Sequence, residues 1–330
     1  MNGNDLNRCL FCPCSERLTD EHVFPAALGC EDVVPSASCG VCNGTFSEEF
    51  EAKFNKLLKP VCYLLRIGNR QGKVPSIDAV TVVDGREFKL VLRPDRTFQL
   101  RNKVEHRVLE SGERVTDYFI FSKEDKENLR ERARKRNERL ERVENDGKPI
   151  QFEPESFMRL DFVNQPVALR SATKAAVMAL AKVAGHRFAS LDAFQHARAY
   201  ALQGAGAAAR LFVNKNFAAN SHFGPHQHVV QVYCNGKQGN VYAIVVFFGG
   251  LSYLVELSTR YYGADYGFSY AYDAFARKQT VVLTGQLETE RLATEDVRNG
   301  ETKFDDVLCM AEHWATYIRS VAAEEIKPIE

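Results

Sequence analysis

Three consecutive passages decide how this chain is read: Cys9-Leu10-Phe11-Cys12, then Leu18-Thr19-Asp20-Glu21-His22-Val23-Phe24-Pro25-Ala26-Ala27-Leu28-Gly29, then Cys39-Gly40-Val41-Cys42-Asn43. Each Cys-x-x-Cys pair sets two thiolates at the tip of a tight turn. Two such pairs supply the four sulfurs of a tetrahedral zinc site with no open position, which makes it structural. The 26 residues between Cys12 and Cys39 exceed what a simple zinc ribbon needs, so a further element is inserted there. The cysteines are clustered: Cys9, Cys12, Cys14, Cys30, Cys39 and Cys42 lie early, and Cys62, Cys234 and Cys309 stand alone. An odd total with this clustering points to a metal site in a reducing compartment rather than a disulfide framework. Cys14 is an alternative to Cys12, and Cys30 is a spare.

The inserted stretch adds an acid–histidine pair, a proline and a Leu-Gly, and Asn43 follows directly on the second pair. Taken together and in this order, these residues resemble the HNH endonucleases, in the branch that carries Glu-His-Val-x-Pro…Leu-Gly between Cys-x-x-Cys and Cys-x-x-Cys-Asn. The resemblance spans about residues 9–58. It implies a zinc-stabilised ββα-metal module, in which a hairpin and a crossing helix hold a catalytic ion between them. It also implies His22 as general base, with Glu21 and Asn43 as ligands of the catalytic metal.

Those residue types suit the chemistry. A neutral imidazole accepts a proton from water near neutral pH. One carboxylate and one amide oxygen are hard, sparse ligands, which suits Mg2+ or Mn2+ completed by water and substrate phosphate. Two departures stand out. The segment 33–38, Val-Val-Pro-Ser-Ala-Ser, holds no asparagine where the family has its middle one, so Ser36 or Ser38 is expected to brace the loop. Ser47 stands where some members have a further histidine. Asn43 is also a natural helix N-cap residue.

Outward from this core, helical spacing of Phe50, Phe54, Leu57 and Leu58 predicts a helix over 47–66, kinked or divided at Pro60. Period-two patterning then predicts strands at 79–83, 88–92, 97–100 and 118–121, with Asp84-Gly85 as a hairpin turn. A charged helix opens at Ser122 with Asp125 as a capping box and runs to about 144. Helices are expected over 167–183 and 191–202, strands over 228–234, 241–248, 251–257 and 279–283, and a last helix over 304–323. The fold class is therefore α+β: the N-terminal module, followed by a larger body with an antiparallel sheet. The expected segments are 1–72 (nuclease module), 73–160 (hairpins and charged helix) and 161–330 (recognition or regulation).

Composition is that of a soluble globular protein of 330 residues, 45% hydrophobic and 26% charged. No stretch is long and apolar enough to span a membrane and no secretory signal is evident, so a cytoplasmic location is expected. The 43 basic and 43 acidic residues cancel, so any nucleic-acid surface must be local. Lys53, Lys56 and Arg17 are the nearest candidates for phosphate contact, and 130–136 is a second basic run. The cluster His222, His226 and His228 is read as strand-entry packing ahead of a second metal site. The aromatic run over 253–275 is read as sheet core ahead of a base-stacking surface. The functional expectation is Mg2+- or Mn2+-dependent hydrolysis of phosphodiester bonds, of DNA first, in a bacterial or phage defence or restriction setting. Double-strand cleavage would call for a homodimer or two successive nicks. The alternatives are a zinc-containing nucleic-acid-binding protein without cleavage, an RNase, and a nuclease switched on by a ligand or protein partner.

Overall fold

A computed structural model describes residues 8–83, 86–95, 97–112, 114–120, 123–136, 166–211 and 223–284. In chain order, β1 (Leu18–His22) and β2 (Val33–Cys39) form an antiparallel hairpin. They are followed by α1 (Gly40–Phe46), a π-helical turn (Ser47–Glu51) and α2 (Ala52–Leu64). Next come β3 (Ile77–Val83), β4 (Arg86–Leu92), β5 (Phe98–Leu100), β6 (Lys103–Val108), β7 (Arg114–Phe119) and α3 (Lys123–Arg136). The chain continues with α4 (Pro166–Ala184), α5 (His186–Ala189), α6 (Gln195–Gln203) and β8 (Ala209–Leu211). It closes with β9 (Gln227–Asn235), β10 (Asn240–Phe247), β11 (Leu251–Ser258), β12 (Tyr266–Asp273) and β13 (Lys278–Thr284). The fold is mixed α+β, and among the described residues every paired strand is antiparallel.

The chain forms two compact units, not three segments in series. Residues 1–74 and 159–330 belong to one unit, and 75–158 form the other. Separate first and third domains, as read from the sequence, are thus corrected to one shared core. The smaller unit holds the β3–β4–β5 meander and the β6–β7 hairpin. Phe88, Leu90, Ala79 and Leu100 fill its core, and the rings of Phe88 and Phe119 meet edge to face at 5.4 Å. Helix α3 carries acids in its first turn and Arg134, Lys135 and Arg136 in its last, as its macrodipole favours. Asp84-Gly85, Ser122, the chain beyond Arg136 in that helix, His222 and the expected helix at 304–323 lie outside the described residues.

In the larger unit six strands run in the order β13-β12-β9-β10-β11-β8. One face of the sheet gathers Val229, Tyr233, Ile244, Val246 and Leu254. The other carries His228, Phe247 and Tyr270, whose rings surround that of Phe24 from the N-terminal stretch, edge-on for Phe247 and tilted for the other two. Helix α4 packs between this sheet and the N-terminal elements and is buried almost along its whole length. Its many alanines let backbone approach closely on both sides, as expected of a helix enclosed all round.

Two expectations about the N-terminal helix change. It begins at Gly40, immediately after the second cysteine pair, with Cys39 as the N-cap residue. Asn43 therefore lies inside the first turn and is not the cap. The helical path then runs through Pro60 to Leu64, and the irregularity falls at the π turn instead. Burial of Phe54, Leu58, Val61 and Cys62 along one side offsets the backbone hydrogen bond that Pro60 removes.

Candidate metal centre and the buried charge network

Thiols of Cys9, Cys12, Cys39 and Cys42 converge, with all four sulfur atoms within 4.8 Å of one another. Cys9, Cys39 and Cys42 are buried, and the Cys12 and Cys39 sulfurs are 3.6 Å apart. At the first pair the Phe11 N–H donates to Cys9 Sγ at 3.4 Å. At the second, burial works to raise the Cys39 pKa, while the N–H groups of Cys42 and Val41 and the neighbouring thiols offset it and bring it down to about 7. The same burial pushes the Cys12 and Cys42 thiols up, and the four converged sulfurs are the donor set of a tetrahedral zinc site, so these residues fit the ion. Neither alternative ligand joins them. Cys14 turns its thiol to the Glu16 carbonyl, and Cys30 is buried with its thiol toward the Asp32 carbonyl.

This cluster ties the segment ahead of β1 to the end of β2 and the first turn of α1, where Asn43 lies beside the hairpin. Asn43 Nδ2 donates to Thr19 Oγ1 at 3.2 Å. The Thr19 hydroxyl lies 3.1 Å from Ser38 Oγ, and Ser38 Oγ donates to Glu21 Oε2 at 2.9 Å. Ser38 thus takes a bracing part, directed at Glu21. The other carboxylate oxygen of Glu21 accepts from the His22 backbone N–H at 3.2 Å and from Lys174 Nζ at 2.7 Å. Lys174, on α4, also bonds the Glu51 carboxylate from the π turn, and its ammonium sits 5.1 Å over the Phe46 ring.

Glu21, Lys174 and Glu51 form a buried triad, with side chains only 5%, 3% and 15% exposed. Removing charges from water is tolerable only with opposite charges at hydrogen-bond distance, which this arrangement supplies. Although burial works to lower the Lys174 pKa, the Glu51 and Glu21 carboxylates more than offset it and hold it above the ordinary lysine value.

His22 is half-buried, and its Nδ1 is buried without a hydrogen-bond partner. Burial lowers its pKa below the ordinary imidazole value, helped by Lys174 and Arg70 and opposed by Glu21 and Glu51. The ring is therefore neutral at neutral pH and able to take up a proton.

The Mg2+ or Mn2+ ion expected at Glu21 and Asn43 does not fit these residues as they stand. Both Glu21 oxygens are engaged, one of them by a full positive charge, and the Asn43 amide reaches Glu21 only through two intervening hydroxyls. Among the described residues, the four cysteines are the one group of three or more Cys, His, Asp or Glu side chains with metal-ligating geometry.

The other candidates read from the sequence take their places as follows. Lys53 and Lys56 are exposed on α2, and Arg17 is exposed ahead of β1. His228 is fully buried and satisfied, with Nε2 at 3.0 Å from the Leu28 carbonyl and Nδ1 accepting from the Phe248 N–H at 3.4 Å. Packing, not metal, accounts for it. Tyr253 and Tyr270 are core, while Tyr262 and Phe275 are exposed.

Sequence reading missed Thr19, Glu51 and Lys174. For Lys174 a signal existed: it is the one charge in the run Ser171 to Ala181, in the middle of a helix rich in alanine, and a charge so placed needs a buried partner. No family profile, no curated protein and no solved structure matches this chain.

Proposed function

We propose that residues 9–58 form a zinc-braced ββα module of the HNH endonuclease type, which hydrolyses phosphodiester bonds of nucleic acid, DNA first, with His22 as general base. One observation carries the reading. The hairpin, the crossing helix and the four-thiol cluster bring Glu21 and Asn43 into one hydrogen-bonded network beside His22, whose Nδ1 has no partner. Zinc at Cys9, Cys12, Cys39 and Cys42 would supply rigidity and no chemistry, since four protein ligands leave it no open position.

In this reading His22 removes a proton from the water that attacks phosphorus, and the bond to the 3′-oxygen breaks in line. Glu21 fixes the backbone of His22 through its N–H and adds negative charge that favours the imidazolium formed on proton transfer. Exposed Lys53, Lys56 and Arg17 would neutralise phosphates, so binding would weaken as salt rises. No step is assigned to a divalent ion on Glu21 and Asn43. A restriction or defence setting, a dimer for double-strand cleavage and control by a ligand of the body belong to the same proposal.

Incubation with supercoiled plasmid, beside His22→Ala, tests it. The expected result is nicking by the wild type and a loss of about a hundredfold or more in the variant. A folded, zinc-loaded wild type that leaves plasmid and RNA intact would sink the hydrolase reading. A second reading, a zinc module that binds nucleic acid without cutting it, is favoured by the Lys174 salt bridge on Glu21. It predicts salt-dependent retention of DNA with no cleavage.

A further inference from the structure

Glu21 stands where the resemblance puts a divalent-metal ligand, yet it already has a cation. Lys174 Nζ lies 2.7 Å from Glu21 Oε1, bonds Glu51 with a second N–H and faces the Phe46 ring. An ammonium with two carboxylates and an aromatic face is coordinated much as a small metal ion would be. It comes from a different part of the chain, 153 residues away along the sequence. Bringing a divalent ion to the same oxygen would set two like charges side by side in a poorly solvated site, where screening is weak.

We infer that the Lys174 ammonium is the resident cation of the Glu21 carboxylate, so that Glu21 is not a divalent-metal ligand and Lys174 is a positioning residue of the site. The first half is independent of function. The positioning role rests on the reading of His22 as a hydrolytic base. Lys174 holds Glu21, Glu21 holds the His22 backbone N–H, and the charges facing the imidazole are Glu21, Glu51, Lys174 and Arg70.

Mn2+ binding to the zinc-loaded full chain, followed by electron paramagnetic resonance, tests the assignment without reference to activity. Wild type and Glu21→Gln are expected to bind the same number of Mn2+ ions with affinities within about twofold of each other. One fewer ion, or affinity weaker by about tenfold or more, in Glu21→Gln would overturn the assignment. Should that variant not fold, Glu21→Asp keeps the charge and withdraws the carboxylate by one methylene. The same two outcomes then decide.

The positioning role is read from the pH profile of cleavage. Lys174→Met is expected to lower kcat by about tenfold or more and to move the acid limb to higher pH, because a positive charge near His22 is lost. Lys174→Arg should restore the limb. An unmoved limb in a folded Lys174→Met protein would leave Lys174 as structure only and overturn this half. If no substrate is cleaved at all, the hydrolase reading fails while the Mn2+ result still decides the first half.

Discussion

His228 shows what one buried side chain does for this molecule. It sits on β9 with no exposed surface, donates to the Leu28 carbonyl and packs against Phe24, Phe247 and Phe248. Burial pushes its pKa down to about 4 from an ordinary value of 6.5. The folded state therefore holds it neutral while the unfolded chain protonates it. Stability is full above the unfolded value and is lost as pH falls from about 6.5 toward 4, by on the order of 3 kcal/mol. Urea midpoints measured between pH 7 and pH 4 should fall accordingly. In His228→Gln, which starts less stable at pH 7, that part of the slope should vanish. An unchanged slope would assign the acid sensitivity elsewhere.

Three basic residues on α4 make a comparable statement along one helix face. Arg170 pairs with Glu49 at 2.7 Å, Lys174 with Glu21 and Glu51, and Lys182 with Asp32 at 2.6 Å. Their spacing of four and eight residues keeps them in one stripe toward the N-terminal stretch. The turn that precedes β2 is fitted as closely. Gly29 caps the 3-10 turn Ala26–Leu28 at φ +89°, and a Cβ there would lie 2.7 Å from Ile67 Cγ2 and 3.0 Å from Ala274 Cβ. Gly29→Ala should cost about 2–4 kcal/mol by combining a left-handed backbone with overpacking, measured by chemical denaturation. A change below about 0.5 kcal/mol would show that the loop relaxes freely.

Across the molecule, the N-terminal stretch shares its core with the C-terminal part of the chain. Phe24, Phe46, Phe50, Phe54 and Leu58 are fully buried, and Phe24 and Phe54 meet Phe247 of β10 at 5.7 and 5.0 Å. A fragment of residues 1–74 should therefore bind zinc through its cysteines yet show no cooperative unfolding, because those rings lose their partners. A sharp calorimetric transition in the isolated fragment would refute this. Among the described residues no helix is long and apolar enough to cross a membrane.

The parts of this structure legible in the sequence are those written in local spacing. The two Cys-x-x-Cys pairs foretold the four-thiol cluster because ligand geometry is set within each turn. Alternation foretold β9, short apolar runs bounded by turns foretold β10 and β11, and apolar periodicity at 167–183 foretold α4, because an element that is to be buried carries its apolar residues at its own spacing and length. Strand β12 lies inside the aromatic run at 253–275 that reads as sheet core, although that reading gives it no bounds of its own; there Tyr266, Phe268, Tyr270 and Tyr272 alternate with Gly267, Ser269, Ala271 and Asp273. What only the tertiary structure decided is the company that the motif keeps. Glu21 reads as an acid free to ligate a metal until α4, far away in sequence, lays Lys174 against it. No period or spacing records a pairing at such a separation, since it arises when two buried surfaces meet and their charges must find partners in the same dry space.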